Sequence, residues 1–124
     1  MSHITSVKTE IHDRDILLRT LKKLGCSWAE DQTVLYHNDR RRMDIVLRME
    51  KDRGIGFRRA RAGEPFRMYS WGTVRERDRK FRRRIFQEYA RLKVLEEARK
   101  RNYALVRETV CAGDRIRLVL RKVV

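Results

Sequence analysis

The stretch Arg42-Met43-Asp44-Ile45-Val46-Leu47-Arg48-Met49, followed by Arg53-Gly54-Ile55-Gly56-Phe57-Arg58-Arg59, decides how this chain reads. In the first segment Met43, Ile45, Leu47 and Met49 share one parity, while Asp44 and Arg48 fall on the other with Val46. Such alternation predicts a strand with one buried face. The second segment predicts another strand, in which Gly54 and Gly56 mark a bulge or the close approach of a neighbouring stretch of chain. Gly63-Glu64-Pro65 then makes a turn, and residues 66–71 complete a hairpin.

Working outward toward the N-terminus, residues 4–11 read as a strand, and Asp13 or Asp15 is placed to cap the helix that follows. Leu17, Leu21 and Leu24 form that helix's apolar stripe, and Gly25 ends it. Residues 27–29 and 33–37 read as short strands around a turn at Glu30-Asp31-Gln32. Toward the C-terminus, residues 78–101 predict a helix of about six turns, with Phe81, Ile85, Tyr89, Leu92 and Leu95 on its core face. A second stripe, Phe86, Ala90 and Val94, is explained either by sheet and loops covering both sides or by a partner surface. Residues 103–110 and 115–124 form a hairpin about a Gly113-Asp114 turn. In its last strand Ile116, Leu118 and Leu120 lie opposite in parity to Arg115, Arg117, Val119 and Arg121.

These elements predict an α+β protein, one domain over residues 1–124. Its antiparallel sheet is expected to consist of two pseudo-duplicated halves of β-α-β-β type, with two helices packed on one face. A length of 124 residues fits a single core, and periodic apolar runs argue against disorder.

Charge is the outlying quantity. The sequence holds 24 Arg and 8 Lys against 17 acidic residues, a formal net charge of +15. A field of this size attracts nucleic acid, anionic membrane or an acidic protein. Arginine adds planar, bidentate contact with phosphate and stacking on flat rings; a GC-rich genome raises its content as well. No apolar run approaches the roughly 20 residues that span a bilayer. The opening Met1-Ser2-His3-Ile4-Thr5 has no signal-peptide pattern, so a cytoplasmic protein with Cys26 and Cys111 free, buried and reduced is expected.

His3, His12 and His37 with the two cysteines show no metal-ligand spacing, and neither metal nor cofactor is expected. The carboxylate pairs Glu96-Glu97, Glu30-Asp31 and Asp13-Asp15 sit among basic residues, where solvated ion pairing is the default rather than acid–base chemistry. Gly54-Ile55-Gly56 lacks the helix start and Lys-Ser/Thr ending of a phosphate loop. The chain therefore does not read as an enzyme.

The basic clusters say more. Arg40, Arg41 and Arg42 are expected in a turn, and Arg58, Arg59 and Arg61 at a strand end. Arg75-Glu76-Arg77-Asp78-Arg79-Lys80 leads into the long helix, where Arg82, Arg83 and Arg84 point about 100° apart. Parity puts Phe66, Met68 and Ser70 on one face of their strand and Arg67, Tyr69 and Trp71 on the other. The latter three are candidates for a cationic surface on which bases stack, although Trp71 also reads as core. The expected function is non-enzymatic binding of nucleic acid, with RNA slightly favoured because no helix-turn-helix or basic-zipper pattern occurs. The alternative is an adaptor or small subunit, monomer or homodimer, that docks an acidic protein through its basic face or through Phe86, Ala90 and Val94.

Several short motifs also recur in a recognisable order. They are Met1-Ser2-His3 ahead of Val7-Lys8-Thr9, Leu24-Gly25 before Trp28, Gly54-Ile55-Gly56-Phe57, Tyr89-Ala90 with Val94-Leu95, and the closing Arg117-Leu118-Val119. Together they resemble a family of plastid and cyanobacterial proteins with bacterial members, named as hypothetical chloroplast reading frame thirty-five. The resemblance covers nearly the whole chain and implies no activity, catalytic residue or cofactor. The chain departs from those relatives in its much higher positive charge and its fewer aromatics over residues 66–73, so its basicity belongs to this protein or its subgroup.

Overall fold

A computed structural model describes residues 4–50, 52–72, 76–112 and 115–123. The element order is β1 (Thr5–Lys8), α1 (Arg14–Lys23), β2 (Ala29–Tyr36), β3 (Asp39–Glu50), β4 (Arg53–Arg58), β5 (Arg67–Trp71), α2 (Glu76–Lys100), β6 (Tyr103–Cys111) and β7 (Arg115–Lys122). The class is α+β, with antiparallel pairing throughout. The strands divide differently from two like halves: five form one sheet in the order β1-β5-β4-β3-β2, and β6-β7 form a separate two-stranded sheet. The chain makes two compact units, residues 1–79 and 80–124. The N-terminal Met1-Ser2-His3, Arg75 and the Gly113-Asp114 turn lie outside the described residues.

In the first unit, Asp13 caps α1 by accepting from the Ile16 N–H at 3.0 Å. Gly25, at φ 77°, ends the helix, with the Cys26 N–H reaching back to the Leu21 carbonyl and the Gly25 N–H to that of Lys22. The helix buries Ile16, Leu17, Thr20 and Leu21.

Residues 27–29 and 33–37 are not two short strands. Asp31 takes φ 51° inside a continuous β2, absorbing the expected turn, and a two-residue turn at His37-Asn38 leads into β3. Opposite Asp31, Asp44 drops out of the regular pairing. Strict alternation breaks there, so Met43 and Val46, three residues apart, join one core cluster with Ile4, Val34, Tyr69 and Trp71. Residues 43–47 and 53–57 are buried without interruption, which means that both faces of these strands are covered.

The two glycines of β4 serve close approach. A Cβ on Gly54 would lie 2.4 Å from the Trp71 ring, and one on Gly56 would lie 2.9 Å from the Met43 sulfur.

The first turn of α2, which belongs to the first unit, carries Glu76 and Asp78, and its last turn, in the second unit, carries Arg99 and Lys100, matching the helix dipole at both ends. The β6-β7 hairpin is regular apart from a register shift between Leu105 and Arg107.

Candidate nucleic-acid interface

Strand alternation separates arginines that are adjacent in sequence. Arg40, Arg41 and Arg42 lie not in a turn but in the first part of β3, opposite Leu35, Val34 and Thr33, because the β2-β3 turn is completed by His37 and Asn38. The Arg41 Nε lies 3.2 Å from Asp39, and its guanidinium stands 5.7 Å from the centre of the Tyr69 ring. Arg42 points to carboxylates instead, 2.8 Å from Asp31 and 2.9 Å from Asp44.

Asp44 is a buried junction. Its Oδ1 accepts from Arg42, and its Oδ2 accepts from the Arg59 N–H at 2.9 Å. Replacing it with Ala strands the main-chain donor of Arg59 and removes one of the two carboxylate partners of Arg42. Asp44→Ala is expected to lower stability by about 2 kcal/mol, read as a lower urea midpoint at unchanged slope, with Asp44→Asn costing less.

Arg59 is held against the protein. Its Nη1 donates to the His12 carbonyl at 2.6 Å, and its guanidinium lies 4.3 Å from the centre of the Phe66 ring. Arg67 donates to the Ser6 hydroxyl at 3.0 Å. Arg58, Arg67 and Lys8 occupy matching positions on β4, β5 and β1, so they form one basic row across three strands. Arg61 is exposed in the loop between β4 and β5. Among the described residues, Arg40, Arg58 and Arg61 make no ion pair.

Tyr69 and Trp71 share a face with Arg67, as parity predicts, but they do not form a stacking surface. They are 8% and 5% exposed, packed with Ile4, Val34, Met43 and Val46. The second face of the sheet is itself core, so these rings are not open to a base. Arg41 remains as a cation beside the buried Tyr69 ring, and Arg67 reaches Ser6 instead.

On α2, Arg82 is half-buried, while Arg83 and Arg84 are exposed. Elsewhere along the helix, basic residues pair with their own carboxylates at helical spacing: Arg99 with Glu96 at 2.8 Å, Arg91 with Glu88 at 3.2 Å and Lys93 with Glu97 at 3.4 Å. Arg91 also holds Glu108 of β6 at 2.8 Å. The hydrogen bond to Glu108 raises the Arg91 pKa above its ordinary value, and nearby Glu88 adds to it. Phe86 is half-buried, while Ala90 and Val94 are exposed. Val94 lines a cavity of about 410 Å³ with Lys93, Glu97, Ala98, Arg101, Tyr103 and Leu120.

Sequence reasoning passed over two sets of residues. Arg53 and Asp78 form a buried ion pair at 3.0 Å, which no periodicity signals. Arg107, Arg115, Arg117 and Arg121 share the open face of the β6-β7 hairpin, and here the alternation of the last strand was the available signal. Among the described residues Cys26 and Cys111 form no disulfide, but Cys26 is half-buried and Cys111 exposed rather than both buried, since β6 is open along its length. Among the described residues, no three His, Cys, Asp or Glu side chains form a metal-binding group. Among the described residues, no helix is long and apolar enough to cross a membrane.

Fold and surface together define an α+β protein with guanidinium groups in excess of its own carboxylates. More narrowly, the chain belongs to the family described as Protein of unknown function (DUF1257), whose model matches residues 20–119. That match runs from α1 into β7 and so spans both compact units. No curated protein and no solved structure matches the chain.

Proposed function

We propose that this protein is a non-enzymatic, cytoplasmic nucleic-acid-binding protein that works chiefly through arginine–phosphate contacts. Within its family we group it with the plastid and cyanobacterial reading frame it resembles. The observation that carries the reading is the surplus of guanidinium groups. The net charge is +15, and Arg40, Arg58, Arg61, Arg82 and Arg84 have no carboxylate partner among the described residues. Arg41, Arg42 and Arg59 are committed to Asp39, Asp44, Asp31 and main-chain carbonyls, so they support the fold first. Burial of Tyr69 and Trp71 moves the weight from base stacking to phosphate contact and removes one support for single-stranded RNA.

Salt titration tests this. Labelled RNA, single-stranded DNA and duplex DNA are added to the full chain while binding is followed by fluorescence anisotropy. With six or more phosphates neutralised, affinity is expected to fall by about 10³ or more between 50 and 200 mM salt. Absence of binding to all three at low salt sinks the proposal.

A second reading, an adaptor for an acidic protein, draws on the exposure of Ala90 and Val94 (44% for Val94). Partners captured from lysate that persist after nuclease treatment would favour it.

A further inference from the structure

The β6-β7 hairpin has two unlike faces. Cross-strand pairing puts Leu105 with Leu120, Glu108 with Leu118 and Val110 with Ile116 on one side. Glu108 there binds Arg91 of α2, and Ile116, Leu118 and Leu120 are half-buried. The other side pairs Ala104 with Arg121, Arg107 with Val119, Thr109 with Arg117 and Cys111 with Arg115. Every residue on this side is exposed, and among the described residues no acidic side chain lies on it.

The four arginines are staggered. Each faces a small or uncharged residue across the ladder, so no two cations are directly opposed. Arg115, Arg117 and Arg121 extend over about 20 Å of strand, the rise of roughly six base pairs. None of the four has an ion-pair partner among the described residues, so the proteins' own carboxylates do not account for them.

From this geometry we infer that the open face of the β6-β7 ribbon is a duplex-DNA contact surface that enters the major groove. This rests on the nucleic-acid reading above and names its site and substrate. A two-stranded ribbon fits a B-form major groove about 12 Å wide, whereas the major groove of A-form RNA is too deep and narrow for side chains to read. No aromatic residue lies on the face, so it lacks the stacking platform that single strands require. Arginine reaches phosphates and the O6 and N7 edge of guanine, while Val119 and Thr109 between them offer methyl groups to thymine.

The experiment compares the full chain with the triple variant Arg107→Gln/Arg117→Gln/Arg121→Gln, and with the same three positions changed to Lys. Probes are a mixed-sequence 20-base-pair DNA, the equivalent RNA duplex and single-stranded DNA, with folding checked by circular dichroism. The Gln variant is expected to bind duplex DNA roughly 100-fold more weakly and with a salt slope shallower by about 2–3, while the Lys variant keeps the slope. Methylation of guanine N7 in the DNA should weaken binding by the unsubstituted chain. A Gln variant that binds DNA normally, or RNA duplex bound as tightly as DNA, overturns the ribbon while leaving the broader proposal standing. A chain that binds no nucleic acid overturns both.

Discussion

Asp78→Ala is expected to lower the stability of the protein by about 3–5 kcal/mol, a large fraction of the total for a chain of this size. Asp78 lies in the first turn of α2, and its Oδ2 accepts from Arg53 Nη1 at 3.0 Å, with the two side chains 8% and 10% exposed. Removing the carboxylate leaves a guanidinium buried at the start of β4. Its other carboxylate, Glu50 at 3.1 Å, is half-exposed and shared with Arg77 at 2.7 Å. The Arg53 Nε already lacks a hydrogen-bond partner among the described residues, so the site has no spare acceptor to take up the loss. The favourable placement of an acid at a helix N-terminus disappears as well.

Two further variants separate the pair's net worth from the cost of breaking it. Arg53→Met alone should be severely destabilising, whereas Arg53→Met/Asp78→Leu should recover most of the stability, since an apolar pair avoids desolvating two ions. Urea unfolding of the four proteins reads this directly. An Asp78→Ala midpoint equal to that of the unsubstituted chain would show that the pair contributes nothing.

That ion pair also marks the limit of what sequence periodicity conveys. The long α2, the β6-β7 hairpin, a cap at Asp13 or Asp15 and the Gly25 stop were all readable, because each follows from local spacing or the preference of one residue. Gly54 and Gly56 were readable, for the same reason, as a bulge or a close approach, and the structure shows close approach. Arg53 and Asp78 are 25 residues apart, and nothing local distinguishes them from the exposed charges around them. Parity did place Arg67, Tyr69 and Trp71 together, but it states which residues share a face and not whether that face is covered. The positive φ of Asp31 had a related effect: a single residue in that conformation replaced a turn between two strands with one continuous strand.

The placement of the arginines follows the same logic. Runs such as Arg40, Arg41 and Arg42 look like concentrated charge, yet a strand sends neighbours to opposite sides and gives Arg41 and Arg42 separate carboxylates. Alternating arginines, as in Arg115, Arg117 and Arg121, look diluted but converge on one face. In a β-rich basic protein, spacing of two is therefore the better guide to a cationic surface than a contiguous run.

Gly54→Ala is expected to cost about 3 kcal/mol or more, at the upper end for overpacking in a core. The new Cβ would meet two Trp71 ring carbons at 2.4 and 2.9 Å and the Leu47 carbonyl oxygen at 2.7 Å. Trp71 has nowhere to withdraw, because it is packed with Ile4, Val34, Met43, Val46 and Tyr69. The carbonyl belongs to β3, whose Leu47 and Arg48 are paired with Ile55 and Gly54 of β4, so relief there means pulling the two strands apart. Trp71→Phe replaces the two-ring indole with a smaller single ring and tests the division. In that background Gly54→Ala should cost less than in the unsubstituted chain, but not nothing, since the contact with the main chain remains. A double-mutant cycle by urea unfolding measures the difference. Equal penalties in the two backgrounds would assign the clash to the Leu47 carbonyl alone, and no penalty in either would mean that β4 does not lie this close to its neighbours.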